Sequence, residues 1–268
     1  MDEIPSGLKD VKIWSKDEVT LVCVENFDDE MKELLKKRLA EICWGPTANG
    51  SSLVAESYKE TMRSLWARVK KKPAKTKIGM VGELLTHLFL AEPGRGFVSV
   101  NCMFNLEEAS IKKGFDLVLK AEHSTELFLV EVKSSAVQST KASAKLFKLL
   151  KVSDKDIAGK LNNPADNLWS NALSHCSSAL RKTDLRDRIE EILGQYRDES
   201  LALPTSDTRN VILSGVSFNG AKGFCDPVEL CALATSYTKW GNYKSLTLFV
   251  LEKDTYEGVL SFIQNEAA

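Results

Sequence analysis

Hydrophobic and polar positions along the chain fall into blocks of two kinds. Some carry the 3.6-residue period of an amphipathic helix; others are the short continuous apolar runs of buried strands. Val11-Lys12-Ile13-Trp14 and Val19–Val24 predict two short strands near the start. Behind the acidic turn Asn26-Phe27-Asp28-Asp29, residues Met31, Leu34, Leu35, Leu39 and Ile42 recur at helical spacing, and Gly45-Pro46 stops that helix. Thr47–Ser52 reads as a loop, Leu53–Val69 as a second amphipathic helix and Ile78–Ala91 as a strongly apolar third, closed by Pro93-Gly94. Phe97–Phe104 predicts a strand and Asn105–Lys113 a polar connection. Phe115–Leu119 and Leu127–Lys133 predict two more strands, joined by a tight turn at His123-Ser124-Thr125. A helical block at Ser134–Lys151 is followed by a polar connection at Val152–Pro164. Further helices are expected at Ala165–Arg181, Asp184–Tyr196, Cys225–Thr238 and Thr255–Ile263, with strands at Asn210–Phe218 and Leu246–Glu252.

Alternating helices and strands of this kind predict an α/β protein with a mixed sheet. The 268 residues suffice for one large domain or a domain with an appendage. We divide them into a small α/β N-terminal region, residues 1–75, and a main domain, residues 76–268. The hydrophobic fraction of 43% and charged fraction of 27% are those of a soluble globular protein. The net charge of −1 means that any basic surface must be local. No apolar run approaches the roughly 18 residues of a membrane span, and the polar, acidic start MDEIPSGLKD does not resemble a secretory signal. The six cysteines are scattered without a C-x-x-C pair, which favours reduced thiols and a cytoplasmic setting.

The candidate chemistry centres on Leu127–Ser134. Five of the six residues in Leu127–Val132 are apolar, as in a central strand covered on both faces. Side chains alternate along a strand, so Glu131 and Lys133 share one face, with Phe128, Val130 and Val132 on the other. A buried charge is costly unless it is paired or holds a metal. Acid-x-Lys alone is not specific: it recurs at Asp10-Val11-Lys12 and Glu30-Met31-Lys32, neither of which we read as catalytic. By itself the pair also reads as a solvated ion pair at a strand end. Asp116, inside the neighbouring apolar run, adds a second acid beside Val118. Glu83, in the helix upstream, adds a third.

Two or three carboxylates converging at one end of a sheet suit a hard cation such as Mg²⁺, or Mn²⁺. Asp116 and Glu131 would bind directly, the Val132 carbonyl would be a further ligand, and Glu83 would act directly or through water. Lys133 would orient or deprotonate the attacking water, or stabilise the developing phosphorane charge. These are the parts of metal-assisted phosphodiester hydrolysis. The run from Arg68 to Lys77, with six basic residues and no acid, reads either as a solvated linker or as phosphate contact through Lys70, Lys71 and Lys72. Lys141, Lys145, Lys148 and Lys151 form a basic stripe that reads either as a solvent face or as a phosphate rail. His87, one turn on from Glu83, reads as a hydrogen-bonded helix residue, and His175 and Cys176 as structural.

Glu83, Asp116 in Gly114-Phe115-Asp116, and Glu131-Val132-Lys133 together resemble the PD-(D/E)xK nuclease superfamily over roughly residues 78–218. Phe115 stands where that pattern often has proline. The resemblance implies a restriction-endonuclease-like core, α-β-β-β-α-β, with extra helices. More narrowly, Gly82-Glu83-Leu84-Leu85, Lys113-Gly114-Phe115-Asp116 and Val130-Glu131-Val132-Lys133-Ser134 look like the HamA/AbpA antiphage nucleases, effector subunits of the Hachiman defence system. That likeness implies a bacterial effector that degrades DNA during phage infection. It also implies a HamB-like helicase partner in a hetero-complex that restrains it. With no visible part in the metal site, residues 1–75 become the expected partner-binding surface. Two other readings stay open at this point: a non-catalytic interaction subunit on a nuclease-like fold, and an RNase with the same metal site.

Overall fold

Strand β7 (Asn210–Phe218) is buried at all nine positions, and the rest of the molecule is layered about it. A computed structural model describes residues 1–92, 94–104, 114–136, 141–162, 167–181, 183–201, 205–218, 224–254 and 256–268, without the side chains of 238–240. The other strands are β1 (Asp2–Ile4), β2 (Val11–Lys16), β3 (Val19–Val24), β4 (Phe97–Ser99), β5 (Leu117–Ala121), β6 (Leu127–Ser135) and β8 (Ser245–Lys253). They join one mixed sheet in the order β1-β2-β3-β8-β7-β6-β5-β4. The four central strands, β3, β8, β7 and β6, run parallel, and the outer pairs are antiparallel.

The helices among the described residues are α1 (Asp29–Trp44), α2 (Tyr58–Val69), α3 (Ala74–Leu90), α4 (Ala142–Asn162), α5 (Leu168–Leu180), α6 (Asp184–Ser200), α7 (Pro227–Trp240) and α8 (Tyr256–Glu266). Parallel strands need both faces covered, and the helices divide accordingly. Helices α1, α2, α3 and α8 share a core with Val130, Val132, Ile212, Val216 and Leu251. Helices α4 to α7 share a second core with Leu129, Leu213, Leu248 and Val250 on the opposite face. The N-terminal strands continue the same sheet through the parallel β3–β8 pairing, and α1 and α2 pack in one core with α3. Residues 1–75 and 76–268 are therefore joined by a shared sheet and a shared core.

Several expected boundaries move. The polar connection predicted at Val152–Pro164 is helical as far as Asn162, because Leu150, Ile157 and Leu161 continue the apolar stripe begun by Leu146, with Ser153 standing in for one apolar residue. The strand expected at Phe97–Phe104 is only Phe97–Ser99. Beyond it, the backbone N–H groups of Met103 and Phe104 turn to the terminal carbonyls of α1, at Ile42 and Cys43. The helix expected from Leu53 starts at Tyr58, where the Ser57 hydroxyl caps it, after a single 3₁₀ turn at Val54–Glu56. Helix α3 begins at Ala74, inside the basic run, after Pro73 with φ of −57°. The connection expected at 105–113 lies outside the described residues. All six cysteines are free thiols. No helix among the described residues is long and apolar enough to cross a membrane.

Helix α3 lies tight against β6 where Gly82 crosses Ser134. A Cβ on Gly82 would stand 1.8 Å from the Ser134 Oγ and 2.8 Å from its Cβ. Gly82→Ala should therefore lower stability by about 1–3 kcal/mol in urea unfolding, despite alanine's better helix propensity, and Ser134→Gly in the same chain should recover part of the loss.

Glu252, near the end of β8, is 3% exposed and accepts one hydrogen bond, from the Cys225 N–H at 2.8 Å. Burial raises its pKa to about 7, and the Cys225 N–H offsets part of that rise. A folded-state value above the unfolded one means stability that is complete below about pH 4.5 and falls as the pH rises through about 7. Glu252→Gln should thus stabilise the fold by up to about 3 kcal/mol at pH 8 and little at pH 4, read from the difference between the two unfolding curves.

Candidate active site at the end of strands β5 and β6

Strands β5 and β6 pair antiparallel with Leu117 opposite Val130. One step further along that register, past the last ladder pair, Asp116 falls opposite Glu131. The ladder ends there because the chain enters β5 through Gly114, whose φ of +125° suits only a residue without Cβ. Phe115 packs against Trp169 in the α5 layer, in the core that holds Val118 and not the one that holds Leu117, since regular strand alternation begins only at Leu117. With no strand carbonyl left opposite it, the Val132 N–H donates to the Asp116 Oδ2 at 2.7 Å. The N–H and C=O of one strand residue point to the same side, so the Val132 carbonyl also faces the Asp116 side.

Glu131 lies on the face covered by α4 and is 2% exposed. Both of its carboxylate oxygens accept charge-assisted hydrogen bonds: Oε1 from Lys133 Nζ at 2.5 Å and Oε2 from Lys160 Nζ at 2.6 Å. Lys160 also donates to the Gly114 carbonyl at 2.8 Å. Lys133 also pairs with Asp156 at 3.0 Å. The Ser153 hydroxyl donates to the Glu131 backbone carbonyl at 2.7 Å. Burial and the neighbouring Asp116 charge push the Glu131 carboxyl above its ordinary pKa, and Lys160 and Lys133 pull part of that back. For Lys133, burial works to lower the value, but Glu131 and Asp156 outweigh it. The net shift is upward, so the side chain is held as an ammonium.

The structure brings together Asp116, Glu131, Val132 and Lys133. Glu83 stands on α3, over the opposite face of the sheet, where its charge is felt by Cys43. His87 is buried on the same helix and Cys176 is buried in the α5 core. Lys70, Lys71 and Lys72 are exposed between α2 and α3, while on α4 Lys148 and Lys151 are exposed and Lys145 is half-buried. Lys141, also exposed, immediately precedes that helix.

Three site residues escaped the sequence reading: Ser153, Asp156 and Lys160. All lie in the segment expected to be a connection. The signal was the apolar stripe through Ile157 and Leu161. Once that stripe is read as helix, positions 153, 156 and 160 follow at spacings of three and four and share one face.

Asp116, Glu131 and the Val132 carbonyl offer hard oxygen donors, a set that fits Mg²⁺ or Mn²⁺ retaining several waters. Among the described residues no group of three or more acidic, histidine or cysteine side chains is gathered at metal-binding distance. In this structure the lysine ammonium groups supply the positive charge that the carboxylates draw in.

Ser153→Ala leaves the buried Glu131 carbonyl without this donor. It should cost about 1 kcal/mol in chemical unfolding and leave the circular dichroism spectrum unchanged.

A family model described as HamA matches residues 4–261 of the chain. No curated protein matches it.

Proposed function

The chain belongs to the HamA family, a family of the Hachiman antiphage defence system, and we propose that it is that system's metal-dependent DNA nuclease, controlled by a helicase partner. The observation that carries this reading is the convergence of Asp116, Glu131, the Val132 backbone and Lys133 where β5 and β6 part. The order α3, β4, β5, β6, α4, β7 supports it, because it is the order expected of a PD-(D/E)xK core. Asp116 and Glu131 would hold the ion, with the Val132 carbonyl completing the protein's share of its ligands. Bound there, Mg²⁺ or Mn²⁺ supplies a Lewis acid and an activated water for attack on phosphorus.

Lys133 stands beside this group as an ammonium, fixed between Glu131 and Asp156. In that form it orients the attacking water and stabilises the negative charge that grows on the phosphoryl oxygens, rather than removing a proton. Glu131 and Asp156 hold it still, so its charge is in place before the substrate arrives. The exposed Lys70, Lys71 and Lys72, and the lysines at and beyond the start of α4, are suited to backbone phosphates, which carry no base identity. Residues 1–75 remain the region we assign to the helicase contact.

The test is cleavage of supercoiled DNA, linear DNA and RNA by the purified protein with Mg²⁺ or EDTA. Where the protein alone is restrained, the co-purified helicase and ATP are added. DNA cleavage should depend on the ion and fall by about 100-fold or more in Glu131→Ala and Lys133→Ala, with both variants folded by circular dichroism. Unfolding of both variants would assign the pair a structural role. Cleavage confined to RNA would replace the substrate class.

A further inference from the structure

Glu131 meets two ammonium groups, and they are not equivalent. Lys133 comes from the same strand, two residues on, and Asp156 holds it from the other side. Lys160 comes from the far end of α4 and reaches across to Glu131 Oε2 and to the Gly114 carbonyl. Gly114 lies two residues before Asp116, so one ammonium bridges the two segments that bear the carboxylates. A cation shared by Asp116 and Glu131 would draw on the same two segments. An ammonium at 2.6 Å from Glu131 Oε2 repels that cation and occupies one of the oxygen's two lone pairs, so the two compete for it. The Lys160 side chain is 28% exposed on a long, flexible stem, so it can leave that oxygen without disturbing the strand. Lys133, tied by Asp156 and by its own strand, is the less free to move.

We infer that Lys160 is a positioning residue with two successive partners: it holds Glu131 and the Gly114–Asp116 segment together before the ion enters, then passes its hydrogen bonds from Glu131 to a phosphate of the nucleic-acid substrate. The inference rests on the proposed reading of Asp116 and Glu131 as metal ligands. It makes Lys160 a competitor of the ion when no substrate is present and a contributor to substrate binding once the ion is bound. A lysine that merely braces α4 would do neither.

The experiment uses the full chain with Lys160→Met, Lys160→Arg and, as control, Glu131→Gln. Calorimetric titration with Mn²⁺ in the absence of nucleic acid should show Lys160→Met binding the ion about tenfold more tightly than wild type, the worth of one charge-assisted hydrogen bond. At saturating Mn²⁺, with the helicase and ATP where cleavage requires them, the same variant should raise KM for a DNA duplex about tenfold with a smaller change in kcat. It should also lower the slope of log affinity against log salt by about 1. Lys160→Arg should keep the wild-type KM. Unchanged Mn²⁺ affinity or unchanged KM in Lys160→Met overturns the inference while leaving the nuclease reading standing. Wild type and Glu131→Gln that are alike in binding no Mn²⁺, alone or with the helicase, would remove the metal site itself and this inference with it.

Discussion

The buried charge of Glu131 is the constraint on which the arrangement depends. A carboxylate taken out of water costs several kcal/mol after relaxation, and removing one partner of such a buried pair costs roughly 3–5 kcal/mol. The fold meets that demand from three directions. Its own strand supplies Lys133. Helix α4 extends a further three turns past Lys151 and brings Ser153, Asp156 and Lys160 over the strand. The approach to β5 brings the Gly114 carbonyl that anchors Lys160, while Asp116, arriving with it, adds to the demand. A satisfied network of charged groups at a strand end is expensive to assemble, and the cost makes sense where the charges have work to do.

The sheet explains why this can happen at one end of β6 and not along its length. Toward its start, β6 is flanked on both sides and reads as continuous apolar core. From Glu131 onward β7 still pairs with it, but β5 does not. One side of the strand therefore offers backbone groups that no ladder claims. Asp116 takes the Val132 N–H from that side, and its charge is set against that of Glu131. The same parting of strands creates both the polar backbone and the crowding of acids.

Much of this was legible in the sequence. The apolar runs located β5, β6 and β7, and strict alternation put Glu131 and Lys133 on one face. What resisted reading has physical reasons. Asp156 and Lys160 lie on a helix whose apolar stripe is broken at Ser153, a polar residue buried because it bonds the Glu131 carbonyl. Local periodicity does not register a partner more than 20 residues away. Glu83 rides on the helix that covers the other face of the sheet, a placement that the spacing of acids along the chain does not specify. The pairing of β3 with β8 was likewise beyond reach, since two strands more than 200 residues apart leave no local signature.

That last pairing bears on how the chain is made. Strand β3 emerges from the ribosome early, but its parallel partner β8 follows after more than 200 further residues, and β7 must settle between β6 and β8 before either edge is closed. Contacts of such long range are slow to form and leave strand edges open meanwhile. The residues of the candidate site are all synthesised by Lys160, well ahead of the strands that complete the sheet around them. A nascent chain therefore carries these side chains without the framework that aligns them. The framework that aligns them is complete only with the sheet closed through Lys253.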